Sequence, residues 1–194
     1  MKTSAIAIYV SHAIFWGSFL AGRWLNKRAT ATGAPSNDTA TQARGANALV
    51  TAHMVGFFLL YFGIPDTLFA ERAMVFTPLP FLGAALILAG AALAVWSTAV
   101  FRSWRFAAKL DAGHELCTRG PFAIVRHPIY TALDLLALGS FLWLPSILLA
   151  CAFVAVAFVS DLRGRTEEKL LLATFGDRYR DYLARVRRFV PFVY

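Results

Sequence analysis

The sequence is poor in charge and almost free of cysteine. Asp, Glu, Lys and Arg make up only 15% of its 194 residues, where soluble globular domains usually carry about 25%. Its two cysteines, Cys117 and Cys151, exclude a disulfide scaffold. Together with the four histidines they are too dispersed for a structural zinc site, so no metal centre is expected. No GxxxxGK[ST], GxGxxG, CxxC or HExxH pattern occurs, which removes the readings that rest on those motifs. Repeats and low-complexity runs are missing as well, apart from a polar, small-residue loop at 29–45. Acidic residues are the scarcer sign, 11 against 19 Lys and Arg, for a formal charge of +8 and a pI near 10.0. A 58% hydrophobic content excludes disorder.

What the chain has is long apolar runs, and its mean hydropathy is +0.58. A membrane-spanning helix needs about 20 mostly apolar residues. Residues 4–22, 47–64 and 79–101 each meet or approach that length. Residues 129–160 form one apolar region interrupted by Pro145, too long for one span and short for two. Proline lacks an N–H and disfavours helix at the residue before it. Two short helices, about 129–144 and 146–160, are therefore expected as a hairpin whose tip barely reaches the far surface. The fold class is all-α: an integral membrane protein with five transmembrane helices and further cytoplasmic helices at the C-terminal end.

The basic residues fix an orientation. With the N-terminus outside and the C-terminus cytoplasmic, every Lys and Arg except Lys2 and Arg72 falls on the cytoplasmic side. In a soluble chain such a charge would suggest nucleic acid; here it is better read as topology and contact with anionic lipid, so no nucleic-acid partner is expected. Lys2 before an apolar run resembles a signal peptide, but Arg23, Lys27 and Arg28 follow directly and argue for retention. The chain reads as a single membrane domain over 1–194. Three spans occupy 1–101, and a chemistry-bearing part occupies 102–194: a loop, the hairpin 129–160 and C-terminal helices over 161–190.

Chemistry-bearing residues cluster in two segments that flank the hairpin. The first reads GHELCTRGPFAIVRHPIY (Gly113–Tyr130). Pro128 suits the first turn of a helix, which places Arg126 and His127 where free N–H groups attract an anion. The second runs from Asp161 to Phe192. Arg163 and Glu167 are spaced i, i+4 and share a helix face, a pattern also met in ordinary surface pairs. Gly176 is expected to end that helix and Asp177 to cap an amphipathic one carrying Tyr179 and Tyr182. Within the spans, His12, His53 and Asp134 are polar groups in an apolar setting. The histidines fit contacts to hydroxyls on other helices. Asp134, one turn after Tyr130, is either a buried hydrogen-bonding group or part of an acceptor site.

The pattern GH-x-L-x₃-G-x₅-RHP-x-Y, an apolar hairpin, then R-x₃-EE-x-L-x₄-FG-x₂-Y-x₂-Y resembles the isoprenylcysteine carboxyl methyltransferases. Their prokaryotic relatives and the phospholipid methyltransferases share it. Gly113, His114, Leu116, Gly120, Arg126, His127, Pro128, Tyr130, Arg163, Glu167, Glu168, Leu170, Phe175, Gly176, Tyr179 and Tyr182 carry the match over about 113–192. The resemblance implies a membrane methyltransferase that uses S-adenosylmethionine and releases S-adenosylhomocysteine. It assigns the cofactor to His114, Glu115, Leu116, Cys117, Phe122, His127, Pro128, Ile129, Tyr130 and Glu167. It places Arg163 near the reacting groups, so Arg163 and Glu167 are the catalytic candidates and Arg163 and Asp134 the acceptor-binding ones. Phe122 stands where a tyrosine is usual and Cys117 where an aliphatic is common. The implied partners are membrane lipids and a lipophilic or lipidated acceptor, such as a prenylated cysteine carboxylate. The alternatives are an amine or thiol acceptor, a membrane NAD(P)H-dependent reductase of the steroid-reductase type, and a membrane scaffold without catalysis.

Overall fold

The computed structural model describes residues 2–30, 41–69, 80–101, 109–110 and 116–194. The other residues lie outside this description, among them His114, Glu115, Arg72, Arg102 and Arg105. Six α-helices make up the described fold: α1 (Lys2–Thr30), α2 (Ala46–Phe69), α3 (Pro80–Val100), α4 (Pro128–Trp143), α5 (Ile147–Phe175) and α6 (Asp177–Arg185). A 3₁₀ turn spans Gly120–Ala123. The exceptions to an all-α pattern among the described residues are a two-residue antiparallel pair, Thr41–Gln42 with Lys109–Leu110, and a single parallel bridge between Val125 and Arg187.

Helices stand at all five expected span positions. By length and composition α2, α3 and α5 are long and apolar enough to cross a membrane, whereas the apolar stretch Ile6–Gly22 of α1 and the whole of α4 are shorter. Large apolar side chains point outward from them, Val10, Phe58, Phe62, Phe81, Val154 and Phe158 among them, as lipid-facing surfaces require. Inward, Phe15 and Phe19 of α1, Leu60 and Ile64 of α2, Ile87 of α3, Leu136 of α4 and Leu149 of α5 form one buried core.

Small residues set the helix spacing. A Cβ added to Gly83 of α3 would sit 2.6 Å from the Gly139 carbonyl oxygen of α4, and one added to Gly139 would sit 2.6 Å from that of Gly83. Lipid tails are as apolar as leucine, so membrane helices associate through such close backbone approach rather than hydrophobic transfer. One polar network joins three helices. His12 of α1 hydrogen-bonds the Tyr61 hydroxyl of α2 and the Ser140 hydroxyl of α4, each at 2.9 Å, and the Trp16 indole donates to Tyr61. The expected histidine–hydroxyl contact is thus present for His12.

The hairpin turns at Leu144–Ser146 around Pro145. Ser146 caps α5, accepting from the Leu149 N–H at 3.2 Å, and the Thr67 hydroxyl donates to it at 2.9 Å. The hairpin's second helix does not stop at 160, as its apolar length suggested; it runs unbroken to Phe175. Residues 161–175 contain no proline, and the Arg, Glu, Lys and Leu there are good helix formers. Gly176 ends the helix with φ 53° and ψ −125°, a conformation open to glycine. Gly176, rather than Asp177, is also the N-cap of α6, and the Asp177 carboxylate is engaged by Arg180 instead.

After α6 the chain returns to the start of α4. Residues 187–189 lie along the loop that precedes it: the Arg126 and His127 N–H groups donate to the Arg187 and Arg188 carbonyls at 2.7 and 3.1 Å. The Thr131 hydroxyl donates to the Phe189 carbonyl at 3.2 Å. This strap fixes the backbone on which the site is built.

Candidate active site

Pro128 occupies the first turn of α4, as expected, with His127 as the N-cap. Its ring presets the helical φ and its missing N–H costs nothing there. His127 and Tyr130, three residues apart on one helix face, bring their rings to 5.7 Å at an interplanar angle of 21°.

Beneath them opens a cavity with about 520 Å³ of open space, its mouth included, between the 3₁₀ turn, the start of α4, the lower half of α5 and α6. Leu116, Cys117, Phe122, His127, Pro128, Ile129, Tyr130 and Glu167 all line it. These are the expected cofactor residues other than His114 and Glu115. Phe101, Arg126, Leu171, Tyr179 and Tyr182 complete the wall among the described residues. Leu171 follows Glu167 by one turn, so helical spacing could have found it. Tyr182 is held by donating its hydroxyl to the Phe122 carbonyl, and Phe101 meets the Phe122 ring edge-on at 5.4 Å.

Two adjacent glutamates divide the work. Glu167 accepts from the Tyr130 hydroxyl, and the Nδ1 atom of His127 lies 3.5 Å from its other oxygen. Glu168 faces away from the cavity into a cluster of cations. Arg126 Nε donates to it at 2.9 Å, and Arg188 Nε and Nη2 at 2.9 and 2.6 Å. His127 Nε2 is 3.2 Å away. Arg126 also donates to the carbonyls of Leu183 and Val186, so it ties down the end of α6 rather than standing ready for an anion at the α4 N-terminus.

Burial alone would lower the His127 pKa, but hydrogen bonds and negative charge from Glu167 and Glu168 outweigh it, and the pKa is raised from its ordinary 6.5. The folded state therefore binds the proton more tightly than the unfolded chain. Its contribution to stability is fully present below the unfolded pKa of about 6.5 and is lost as pH rises through the higher folded value. Thermal melts across this range should show Tm falling with rising pH, with a shallower slope in His127→Gln. A wild-type Tm that climbs over the same window would contradict this arrangement. Burial, with the Glu168 charge adding to it, pushes the Tyr179 pKa up, so its hydroxyl keeps its proton. Tyr179 lines the cavity, and its hydroxyl is buried without a hydrogen-bond partner among the described residues.

Arg163 lies one turn before Glu167 and is only 4% exposed, so it is no surface pair. Its Nη1 donates to His53 Nδ1 at 2.8 Å, and its guanidinium carbon sits 4.6 Å from the centre of the Tyr130 ring. Arg163, Thr166 and Glu167 border a smaller cleft with Ala46 and Leu49 of the α2 start. Glu167 is common to both spaces. Asp134 borders neither; it accepts from the Ser160 hydroxyl at 2.7 Å, tying α4 to α5. No group of three or more His, Cys, Asp or Glu side chains suited to a metal occurs among the described residues.

A family model for phospholipid methyltransferases matches residues 79–178. The chain is also similar to the protein-S-isoprenylcysteine O-methyltransferase of Schizosaccharomyces pombe, 36% identical over 89 residues, which are 45% of this chain and 37% of that protein. It is similar to protein-S-isoprenylcysteine O-methyltransferase B of Arabidopsis thaliana, 37% identical over 82 residues and 41% of each chain. The chain thus aligns with less than half the length of either relative. The family match takes in the 3₁₀ turn, all of α4 and all of α5, the elements that build most of the cavity, and extends over just more than half the sequence. The chain belongs to the phospholipid methyltransferase family.

Proposed function

We propose that this membrane protein is a methyltransferase that takes S-adenosylmethionine from the cytosolic side. Its acceptor is the carboxylate of a lipophilic molecule, such as a prenylated cysteine. The orientation follows the basic residues: N-terminus outside, C-terminus and site cytoplasmic.

The observation that carries this reading is the cavity wall in which Glu167 and Tyr130 stand against Arg163. Glu167 and Tyr130 close the large cavity on the side where Arg163 borders the small cleft. The residues present fit the cofactor. Glu167 offers a carboxylate for a cationic group, and Phe122 and Tyr130 offer ring faces for adenine or a sulfonium. The orphaned Tyr179 hydroxyl gains a partner if a polar ligand occupies the space.

When bound, the cofactor supplies a methyl group on a sulfonium; a carboxylate oxygen takes that carbon while the carbon–sulfur electron pair stays on sulfur. No proton is released, so no general base is needed. The chain's own task is positioning, the larger share of what such a displacement requires. Tyr130 and His127 hold Glu167 in place. Arg163 meets the acceptor carboxylate with a fork of N–H donors suited to that planar anion.

Purified protein in detergent is expected to release heat on titration with S-adenosylhomocysteine. It is also expected to transfer label from S-adenosylmethionine to N-acetyl-S-farnesylcysteine in preference to a phospholipid amine or a lipophilic thiol. Transfer to the amine or thiol alone would overturn the acceptor assignment. Binding of NADPH with no response to S-adenosylhomocysteine would overturn the reaction class.

A further inference from the structure

His53 lies on α2, outside the 79–178 stretch that matches the family, and no cavity-lining role falls to it. It is fully buried, and its Nδ1 atom accepts from Arg163 at 2.8 Å. Arginine has donors and no acceptor. The nitrogen facing it must therefore accept, and the ring hydrogen sits on Nε2. That Nε2 is buried and has no hydrogen-bond partner among the described residues. The histidine thus satisfies one demand, toward Arg163, and leaves its second polar atom unmet. A buried polar atom left so is costly and calls for a reason.

The surroundings hold the ring still. Phe57 stacks on it at 5.2 Å and 11°. Gly56, on the same helix face, lets α2 approach α5 so closely that an added Cβ would lie 3.0 Å from Val156. Arg163 is gripped between the His53 nitrogen and the face of Tyr130, whose hydroxyl in turn donates to Glu167. A chain of contacts therefore runs from α2 to the wall between the two spaces. A neutral acceptor has a particular merit here: it orients a guanidinium without adding a negative charge that would compete with an anionic acceptor.

We propose that His53 is a positioning residue for methyl transfer, fixing the rotation of Arg163 so that its donor fork meets the acceptor carboxylate. This rests on the reading of Arg163 given above.

The test uses the whole 194-residue chain with N-acetyl-S-farnesylcysteine as probe, loaded with S-adenosylhomocysteine for binding and supplied with S-adenosylmethionine for turnover. His53→Leu removes the acceptor nitrogen. His53→Asn keeps an acceptor oxygen near the Nδ1 position, with amide N–H groups in place of the Nε2 donor. His53→Leu should weaken probe binding and raise the acceptor KM by about tenfold or more, with S-adenosylhomocysteine affinity unchanged, which also shows that the variant is folded. His53→Asn should recover most of the loss. Nitrogen-15 NMR of the wild-type ring should place the hydrogen on Nε2. Wild-type behaviour of His53→Leu overturns the assignment. So does equal damage in both variants, or a parallel loss of S-adenosylhomocysteine affinity, since either marks a packing role. A wild-type protein that binds neither compound overturns the reading of the site itself, a result distinct from one in which only His53 proves dispensable.

Discussion

Glu167→Ala is expected to weaken S-adenosylhomocysteine binding by about 10- to 100-fold, the worth of a hydrogen bond to a charged group, and to remove measurable methyl transfer. Among the described residues Glu167 is the one carboxylate lining the large cavity, and it also borders the Arg163 cleft. The Tyr130 hydroxyl and His127 hold it from the protein side. Deletion would take the acceptor from the buried Tyr130 hydroxyl and leave His127 with Glu168 alone, as well as removing the ligand's counter-charge. Glu167→Gln should fall between, since it keeps an acceptor oxygen and loses the charge. Tyr130→Phe should be milder for binding, since it frees the carboxylate without deleting it. Isothermal titration measures all three. Affinity in Glu167→Ala equal to wild type would exclude Glu167 from the cofactor site.

Glu168→Leu is expected to damage the fold more than the chemistry. Its carboxylate gathers Arg126, Arg188 and His127 with the side chain only 11% exposed. Removing one partner of a buried charge cluster typically costs about 3–5 kcal/mol, because the remaining charges stay desolvated and unmatched. Here Arg126, Arg188 and His127 would each lose a carboxylate at once, leaving Arg188 with Asp161 and His127 with Glu167, which outweighs any relief from burying one acid fewer. The cluster joins the loop before α4, α5 and the strap, so its loss should release residues 187–194 as well. Denaturant or thermal unfolding in detergent should show a large drop in stability, with increased proteolysis after Arg185. The contrast is Asp177→Ala: its pair with Arg180 is exposed at both ends, and such pairs contribute little. A Glu168→Leu protein no less stable than Asp177→Ala would show that the cluster contributes nothing of consequence.

Much of this was legible in the residues. Apolar runs located the helices because lipid demands long apolar stretches, and Pro128 marked the start of α4 because proline fits a first turn. The expected boundary near 160 failed for a physical reason. Asp161, Arg163 and Arg165 read as an exit from the membrane, but a helix does not end where its surroundings turn polar; it ends where the backbone can no longer continue, here at Gly176. Within the site, local spacing suggested that Arg163 and Glu167 share a face. It could not show that Arg163 is held by His53, 110 residues earlier, or that Glu168 is claimed by Arg188 and Arg126. Pairings of that kind have no period, so they leave no trace in a single sequence. Asp134 illustrates the converse: one turn from Tyr130 it shares the helix, yet its partner is Ser160 on α5 and it borders neither space.

The strap along the α4 loop also sets an order of assembly. The Arg126 guanidinium bonds the Val186 carbonyl sixty residues later, and its N–H the next carbonyl after that. The strap follows α1 to α6 in the chain, so it turns back to make these contacts only after those helices have been laid down. Helices α1 to α5 can pack within the bilayer through their small residues while this segment is still free. Until it docks, the backbone that presents His127 and Tyr130 is unsupported, and the cavity lacks the wall that α6 contributes. Residence in the membrane and competence for chemistry are therefore separate events in the life of this chain, and the second waits on its final turn.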